Sequence, residues 1–583
     1  MRTKSIIYLL FFIISTCQIA LGQMKWYNPM NASNYPIHGR AWNEEIGKNF
    51  NRLPERHKKN VRQAVWYLSQ QSAGMYIKFY TNSNKIHIKY DVSGPHALPH
   101  MPATGVSGID LYSTNADGNQ YWCSGIYQFG DSILFQYNDL TYNNTDSIGN
   151  EFTLFLPLYN NVKTLQIGVE ANSQFHFLFP SIERPIVIYG TSIAQGACAS
   201  RPGMAWSNIL QRKLDSPIVN LGFSGNGLLE KNLFHILSEI DASLFIIDCM
   251  PNMTAENTSL IQERLEQGIQ ILRKKSEAPI LLVEHDGLMG DQMSLTKEKS
   301  FRKANEVLQK TYYKIKNIYK NIYYLSYEEL NLDQDSQVDG CHATDKDMQE
   351  YADAYYKKII QILYKGMDRL SFRPRRQHRE ICNYNWHQRH CDILKHNLQH
   401  QPNIIMIGNS ITHYWGGEPI AKPQTANDIW EKLFSKKNVA NLGFGWDKIE
   451  NVLWRIYHGE LDGYSAKKIF LMIGTNNLHS NSNEEIVTGI IDVINAISYK
   501  QPNAQLYVIQ MLPREGYEER IFQLNRFLEE KLRTNGNIKM IDLSKHLTNK
   551  QGKIRSQLFR DGLHPNRKGY SVIYKRLKQF VDE

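Results

Sequence analysis

"IVIYGTSIAQG", Ile186 to Gly196, and "IIMIGNSITHY", Ile404 to Tyr414, decide how this chain is read. Each is an apolar strand that stops at a glycine and at once presents a serine, Ser192 or Ser410, the way several α/β folds hold a nucleophile at the end of a sheet strand. A lone Gly-x-Ser turn is ordinarily just a turn. The residues downstream of each serine change that reading.

After Ser192, Asn-Leu-Gly-Phe begins at Asn220, Asn252 follows a strand, and Asp339 and His342 come last. After Ser410 the same stations recur in the same order and at similar intervals: Asn-Leu-Gly-Phe from Asn441, Asn476 after a strand, then Asp561 and His564. Four matched stations make the two halves homologous domains.

The residue types define a chemistry. Serine is a weak nucleophile at its own pKa, so a histidine must take its proton as it attacks a carbonyl. A carboxylate must orient that histidine and stabilise its cation. Asp-x-x-His at the start of a last helix supplies both from one turn, as Asp339 with His342 and Asp561 with His564. The tetrahedral intermediate needs donors aimed at its oxygen, each worth about 2.7–4 kcal/mol. The serine's own N–H, an N–H of the second station at Gly225 or Trp446, and the amide of Asn252 or Asn476 are the candidates. Trp446 keeps a backbone N–H there provided its turn does not demand positive φ, which an indole side chain resists.

Taken together, Gly-x-Ser, Asn-x-Gly-x-x-Gly, Gly-x-Asn and Asp-x-x-His resemble the four blocks of the SGNH (GDSL-type) hydrolases, esterases with a flavodoxin-like three-layer α/β fold. The resemblance covers about 186–365 and 403–583. The second copy, with "GNSITHYW", "IGTNN" and "DGLHPN", is similar to the platelet-activating-factor acetylhydrolase-like branch. The first departs from the pattern with Met250-Pro251-Asn252-Met253, and resembles bacterial members fused to a β-domain marked by Gly-x-Asp-Leu-Tyr, here Gly108 to Tyr112.

The rest of the chain fits a multidomain protein. Residues 1–22 have a basic start, an apolar run from Ile6 to Ile14 too short to span a bilayer, and small residues before Gln23, and are read as a signal peptide. A lipoprotein box at Cys17 fits poorly, and no later segment is apolar enough for a transmembrane span. Residues 24–183 alternate with period two, as in Ile86, Ile88, Tyr90 and Val92, between turn-rich stretches; they are read as a β-sandwich with one helix near Arg56 to Gln70. Residues 184–366 and 403–583 alternate strand and helix, as parallel-sheet domains do. The polar stretch 367–402 between them is read as a linker.

A formal net charge of +10 over 583 residues is mild, and no basic stripe interleaves with aromatics, so nucleic acid is not an expected partner. Seven cysteines, one of them in the signal segment, are too few for a disulfide framework; Cys382 with Cys391 is the expected pair, while Cys198, Cys249 and Cys341 are read as small core residues. No Cys/His spacing matches a zinc site, and neither a metal nor a cofactor is expected. Glu284, His285 and Asp286 are read as a solvated loop, with the cleft wall as the alternative; Trp122 and Tyr112 are core aromatics or sugar contacts. The sequence sets no oligomeric state. What the resemblance implies is an exported esterase, periplasmic or extracellular, removing O-acetyl groups from polysaccharide or oligosaccharide. The alternatives are a lipid or other small-acyl ester hydrolase, and a glycan-binding protein with one degenerate hydrolase domain.

Overall fold

The computed structural model describes residues 24–583 apart from 33, 116–117, 142–147, 289–292, 294, 334, 365–372, 378–383 and 534–536. The segment read as a signal peptide lies outside the described residues, and so does Cys382, the expected partner of Cys391.

The N-terminal region forms ten strands: β1 (Met24–Tyr27), β2 (Tyr76–Thr81), β3 (Ile86–Val92), β4 (Asp110–Thr114), β5 (Gln120–Trp122), β6 (Ile126–Gln128), β7 (Ile133–Tyr137), β8 (Asn150–Phe155), β9 (Val162–Glu170) and β10 (Phe175–Leu178). They make two five-stranded antiparallel sheets, ordered β1-β9-β3-β7-β6 and β10-β2-β8-β4-β5. Ile86, Ile88 and Tyr90 of β3 point inward, and so do Ile77 and Phe79 of β2 in the other sheet, so both sheets contribute to one core. This is the period-two pattern expressed as burial. The expected helix near Arg56 is shorter: a single 3₁₀ turn at Glu55–His57, then Gln63–Ser69, with the intervening Lys58, Lys59 and Asn60 in turns.

Two parallel sheets follow. The first contains β11 (Ile186–Gly190), β12 (Ile218–Gly222), β13 (Leu244–Asp248), β14 (Ile280–Val283) and β15 (Ile322–Leu325); the second contains β16 (Ile404–Gly408), β17 (Val439–Gly443), β18 (Lys468–Met472), β19 (Gln505–Ile509) and β20 (Ile538–Ile541). Their orders are β12-β11-β13-β14-β15 and β17-β16-β18-β19-β20, with every pairing parallel. This 2-1-3-4-5 arrangement is the flavodoxin-like order, which reverses direction at its first strand and opens a crevice beyond the strands' carboxyl ends. Strands buried on both faces read as continuous apolar runs because helices cover both sides. In the first unit, helices Trp206–Leu214 and Asp345–Tyr364 pack on one face. Lys231–Leu237, Ile261–Arg273 and Leu295–Lys316 pack on the other.

Each unit borrows a piece of chain from outside it. Leu53, Val65 and Trp66 of the N-terminal region belong to the first unit's core. Trp386 and Ile393, on helix Trp386–His400 within the stretch read as a linker, belong to the second's. Both borrowed pieces carry a buried arginine. Arg52 donates to the carbonyls of Asn220 (3.3 Å) and Gly222 (2.6 Å) on edge strand β12; Arg389 donates to those of Asn441 (3.0 Å) and Gly443 (2.7 Å) on edge strand β17. An unpaired strand edge is thereby covered in both units.

The three domains meet at a buried polar junction. Lys78 from β2 pairs with Glu151 of β8 at 3.2 Å and Asp215 of the first unit at 3.4 Å, while Trp454 of the second unit donates to Asp215 at 3.1 Å. His458 of the second unit lies 3.5 Å from Asp215. Burial would raise the Glu151 carboxyl, but Lys78 and His458 outweigh it and hold it at about 2. Among the described residues no helix is long and apolar enough to cross a membrane.

Candidate active site

Both serines sit where the fold places a ligand. β11 ends at Gly190, where a Cβ would come within 2.6 Å of the Ala194 side chain, so the chain turns sharply into helix Ser192–Gln195. Thr191 caps that helix and accepts from the Ile193 N–H. At Ser410 the cap is Asn409, whose Oδ1 accepts from Ile411 N at 3.0 Å. As the first residue of its helix, each serine has a backbone N–H with no intrahelical acceptor, aimed out of the helix end.

The turn is latched from below by the second station. Asn220 donates to Ala194 O (2.6 Å) and Ser207 Oγ (2.9 Å); Asn441 donates to Thr412 O (2.8 Å) and Gly416 O (2.7 Å). A further latch, missed in the sequence, joins the fourth residue of each nucleophile turn to the next loop. Gln195 Oε1 accepts from Ser224 N at 3.1 Å, and His413 Nδ1 accepts from Gly445 N at 3.0 Å. Burial pushes the His413 imidazole far down, so it stays neutral and can accept.

Ser192 Oγ lies 2.8 Å from His342 Nε2, and His342 Nδ1 lies 2.7 Å from Asp339 Oδ2. In the second unit, Ser410 Oγ to His564 Nε2 is 2.8 Å and His564 Nδ1 to Asp561 Oδ2 is 2.8 Å. A carboxylate only accepts, so Nδ1 carries the proton and Nε2 is left as the acceptor for the serine hydroxyl. The other oxygen of each aspartate receives the backbone N–H of its own histidine, at 2.9 Å for Asp339 and 2.8 Å for Asp561. Burial works to raise the Asp561 carboxyl, but the bonds from His564 prevail and hold it at about 2; Asp339 is likewise held below its ordinary value. Asp and His lie in the loop just ahead of helices Asp345–Tyr364 and Arg567–Asp582, rather than inside them.

The asparagines lie beside the same loops. Asn252 Oδ1 accepts from Gly227 N at 3.0 Å. Asn476 donates to Asp447 O at 3.0 Å and, with Trp446, Tyr414, Lys422 and Arg560, lines a cleft of about 340 Å³ that holds Ser410 and His564. Gly225 and Trp446 occupy matching turn positions, at φ +67° and +63°. The turn therefore does demand the left-handed conformation. A side chain at Gly225 would meet open space within 4 Å; Trp446 fills the corresponding space, half exposed at 51%.

The N-terminal region reaches the first site. Tyr159 donates to Ser192 O at 3.4 Å, Gln195 donates to Gln71 at 2.5 Å, and the His100 ring stacks on His342 at 5.7 Å. Gly-x-Asp-Leu-Tyr has a structural reason: Asp110, buried in β4, accepts from Gly203 N at 2.8 Å and pairs with Arg201 at 2.5 Å, in the loop beyond the nucleophile turn. None of this was visible in spacing, because each partner is distant in sequence. Glu284, His285 and Asp286 are not a solvated loop: they are buried, with Glu284 accepting from Tyr327 N at 2.6 Å and His285 N donating to Asn305. Tyr112 is buried, whereas Trp122 is half exposed and donates to Asp110. Cys123, Cys198 and Cys249 form no disulfide.

Comparison with known proteins agrees with this geometry. Models of the GDSL-like lipase/acylhydrolase family match residues 183–361 and again 406–572, more than half of the chain, and a model of the N-terminus of SGNH-hydrolase-type esterases matches 24–175. The chain is 28% identical over 200 residues to the platelet-activating factor acetylhydrolase IB subunit alpha2 of Rattus norvegicus, covering 34% of this chain and 83% of that one. It is similar to a GDSL-like lipase of known structure from Bacteroides ovatus, with 30% identity, a TM-score of 0.53, and coverage of 58% of this chain and 98% of that chain. A family two carbohydrate esterase from Cellvibrio japonicus aligns at 13% identity and a TM-score of 0.38, covering 60% of this chain and all (100%) of the other. The chain belongs to the GDSL-like (SGNH) lipase/acylhydrolase family, carries that domain twice behind an SGNH-type esterase N-terminus, and is a carboxylic ester hydrolase.

Proposed function

We propose that both units are serine esterases that release small acyl groups, acetyl above all, from polysaccharide or oligosaccharide. The observation that carries this is the pair of Ser–His–Asp chains, each closed at 2.8 Å between serine and imidazole. In each, the serine Oγ attacks the ester carbonyl while Nε2 takes its proton, and the imidazolium formed is held by Asp339 or Asp561. The oxyanion is met by the serine's N–H, the N–H at Gly225 or Trp446, and the amide of Asn252 or Asn476. His342 or His564 then protonates the departing alkoxide, leaving an acyl-serine. Water, deprotonated by the same histidine, releases the acid and restores the hydroxyl.

Small acyl groups are favoured by Trp446, which narrows the second cleft, and by the similarity to acetylhydrolases that act on platelet-activating factor. That same similarity favours a phospholipid acetyl ester as the second reading. A glycan acceptor is supported by Tyr121, Trp122 and Tyr127, half-exposed aromatics on β5 and β6, which suit stacking on sugar rings. We read the two antiparallel sheets around one core as a β-sandwich that braces the first unit and shapes its cleft, and place the enzyme outside the cytoplasm on the composition of residues 1–22.

The test compares full-length protein, Ser192→Ala, Ser410→Ala and the double variant on acetylated xylan, pectin, mannan and an acetyl phospholipid. The expected result is acetate release from at least one glycan by each single variant, with different preferences, and none by the double. Release from the phospholipid alone would favour the second reading.

A further inference from the structure

The first active site differs from the second in one chemical respect. His100, Cys198, Asp339 and His342 bring four ligand atoms within 4.8 Å of one another, and among the described residues this is the group of His, Cys and carboxylate side chains that closes in this way. The four come from three distant segments: the loop between β3 and β4, the turn after the nucleophile helix, and the Asp-x-x-His loop. That dispersal is why no ligand spacing shows in the sequence. The cluster is held together by its own contacts: the Cys198 thiol donates to His100 O at 3.3 Å, and the His100 ring stacks on His342.

We propose that the first site binds a thiophilic divalent cation, zinc in particular, on His100, Cys198, Asp339 and His342, and that the bound ion silences Ser192 while leaving Ser410 active. Thiolate, imidazole and carboxylate are the donor types zinc takes, at about 2.0–2.3 Å, so tetrahedral ligands sit about 3.3–3.8 Å apart. Closing from 4.8 Å needs movements of about an ångström, within reach of χ rotations of His100 and Cys198. On binding, Cys198 releases its proton to solvent.

Inhibition follows from the imidazole. A neutral ring has one lone pair in its plane. An ion on His342 Nε2 occupies the lone pair that receives the serine proton. An ion on Nδ1 displaces the proton to Nε2, which then donates instead of accepting. Either way Ser192 loses its base. The second unit has Gly416 where the first has Cys198, and Leu563 where the first has Cys341, and among the described residues its triad has no such set around it.

The test uses full-length protein with zinc chloride and cobalt(II) chloride as probes and a chromogenic acetyl ester as reporter. Ser410→Ala, whose turnover is all from the first site, is expected to lose at least tenfold activity at near-stoichiometric zinc and to recover with EDTA; Ser192→Ala is expected to be unaffected. Cobalt is expected to give a thiolate charge-transfer band at one ion per chain, in Ser192→Ala as well, since the serine is not a ligand. The band should vanish in Cys198→Ser, and His100→Gln in the Ser410→Ala background should raise the zinc concentration for half-inhibition at least tenfold. Equal inhibition of both single-serine variants, or the absence of a thiolate band, overturns the proposal. The cobalt band is read without any ester, so it stands or falls separately from the substrate assignment.

Discussion

Arg52 and Arg389 do the same work in the two hydrolase units: each inserts from outside the α/β fold and donates to the two carbonyls flanking the leucine of Asn-Leu-Gly, Asn220 and Gly222 in one case, Asn441 and Gly443 in the other. Each also lies over the following phenylalanine ring, at 5.0 Å from Phe223 and 5.3 Å from Phe444. These carbonyls belong to the strand that carries the latch asparagine, so the clamp supports the nucleophile turn one step removed. Arg52 further donates to Gln71 O and Leu68 O. Removing it orphans the buried carbonyls of Asn220 and Gly222 at about 1–3 kcal/mol each and frees the part-buried ones of Gln71 and Leu68. Arg52→Ala is therefore expected to destabilise by at least about 3 kcal/mol and to abolish first-site turnover on warming before second-site turnover; Arg389→Ala should reverse that order. Thermal inactivation in the Ser410→Ala and Ser192→Ala backgrounds reads this directly.

Trp446 holds a conformation that glycine takes freely, at about 1–2 kcal/mol for a side-chain-bearing residue. Trp446→Gly is expected to keep its fold and to widen the second cleft. The ratio of butyryl to acetyl ester turnover, measured in the Ser192→Ala background, should rise at least fivefold. An unchanged ratio would show that the indole does not bound the acyl pocket.

Asparagine in place of either triad aspartate preserves shape but favours the wrong imidazole tautomer. Asp339→Asn and Asp561→Asn are each expected to lower kcat of their own site by about 10⁴. Asn252→Ala and Asn476→Ala should lower kcat by about 10²–10³ with little change in KM, as loss of an oxyanion donor does. Single-turnover acylation of the paired serine variants separates these effects.

The three-domain junction predicts acid sensitivity. Burial holds the His458 imidazole down at about 4, so it is neutral in the fold and takes up a proton on unfolding. Its contribution is complete above the ordinary value of 6.5 and is lost as pH falls from there toward about 4. Glu151, held at about 2, adds a loss below its ordinary 4.5. The His458 part is on the order of 3 kcal/mol. The melting temperature should fall between about pH 6.5 and 4, and His458→Gln should flatten that segment.

Much of the site was legible because its chemistry is local. Ser192, Asp339 and His342 each announce themselves in a short motif, and so do their counterparts, since a capped strand-to-helix turn and an Asp-x-x-His loop are built from neighbours in sequence. The parallel sheets were legible for the same reason, as doubly buried strands must be apolar throughout. The features that stayed hidden rest on side chains meeting across domains. The helix Trp386–His400 read as linker because its buried face mixes the polar Arg389, His390 and Asn397 with Trp386 and Ile393, which masks the apolar period. Glu284, His285 and Asp286 read as solvated because their partners, Tyr324 and Tyr327, Asn305, and Tyr351 respectively, come from other segments. His100 carried no signal at all. The left-handed turn at Trp446 was hidden by its residue type, which argues against that conformation until the matching Gly225 is seen.

The junction of Lys78, Glu151, Asp215, Trp454 and His458 has a kinetic meaning as well. Because it joins all three domains through side-chain contacts, it sets how the two crevices are placed relative to each other in the fold. Under the proposed function, a molecule bearing many esters that is held at one crevice would present the next ester to the other by tethering rather than by a fresh encounter, at local concentrations on the order of millimolar. Separating the units at this junction would leave both triads whole and still forfeit that advantage.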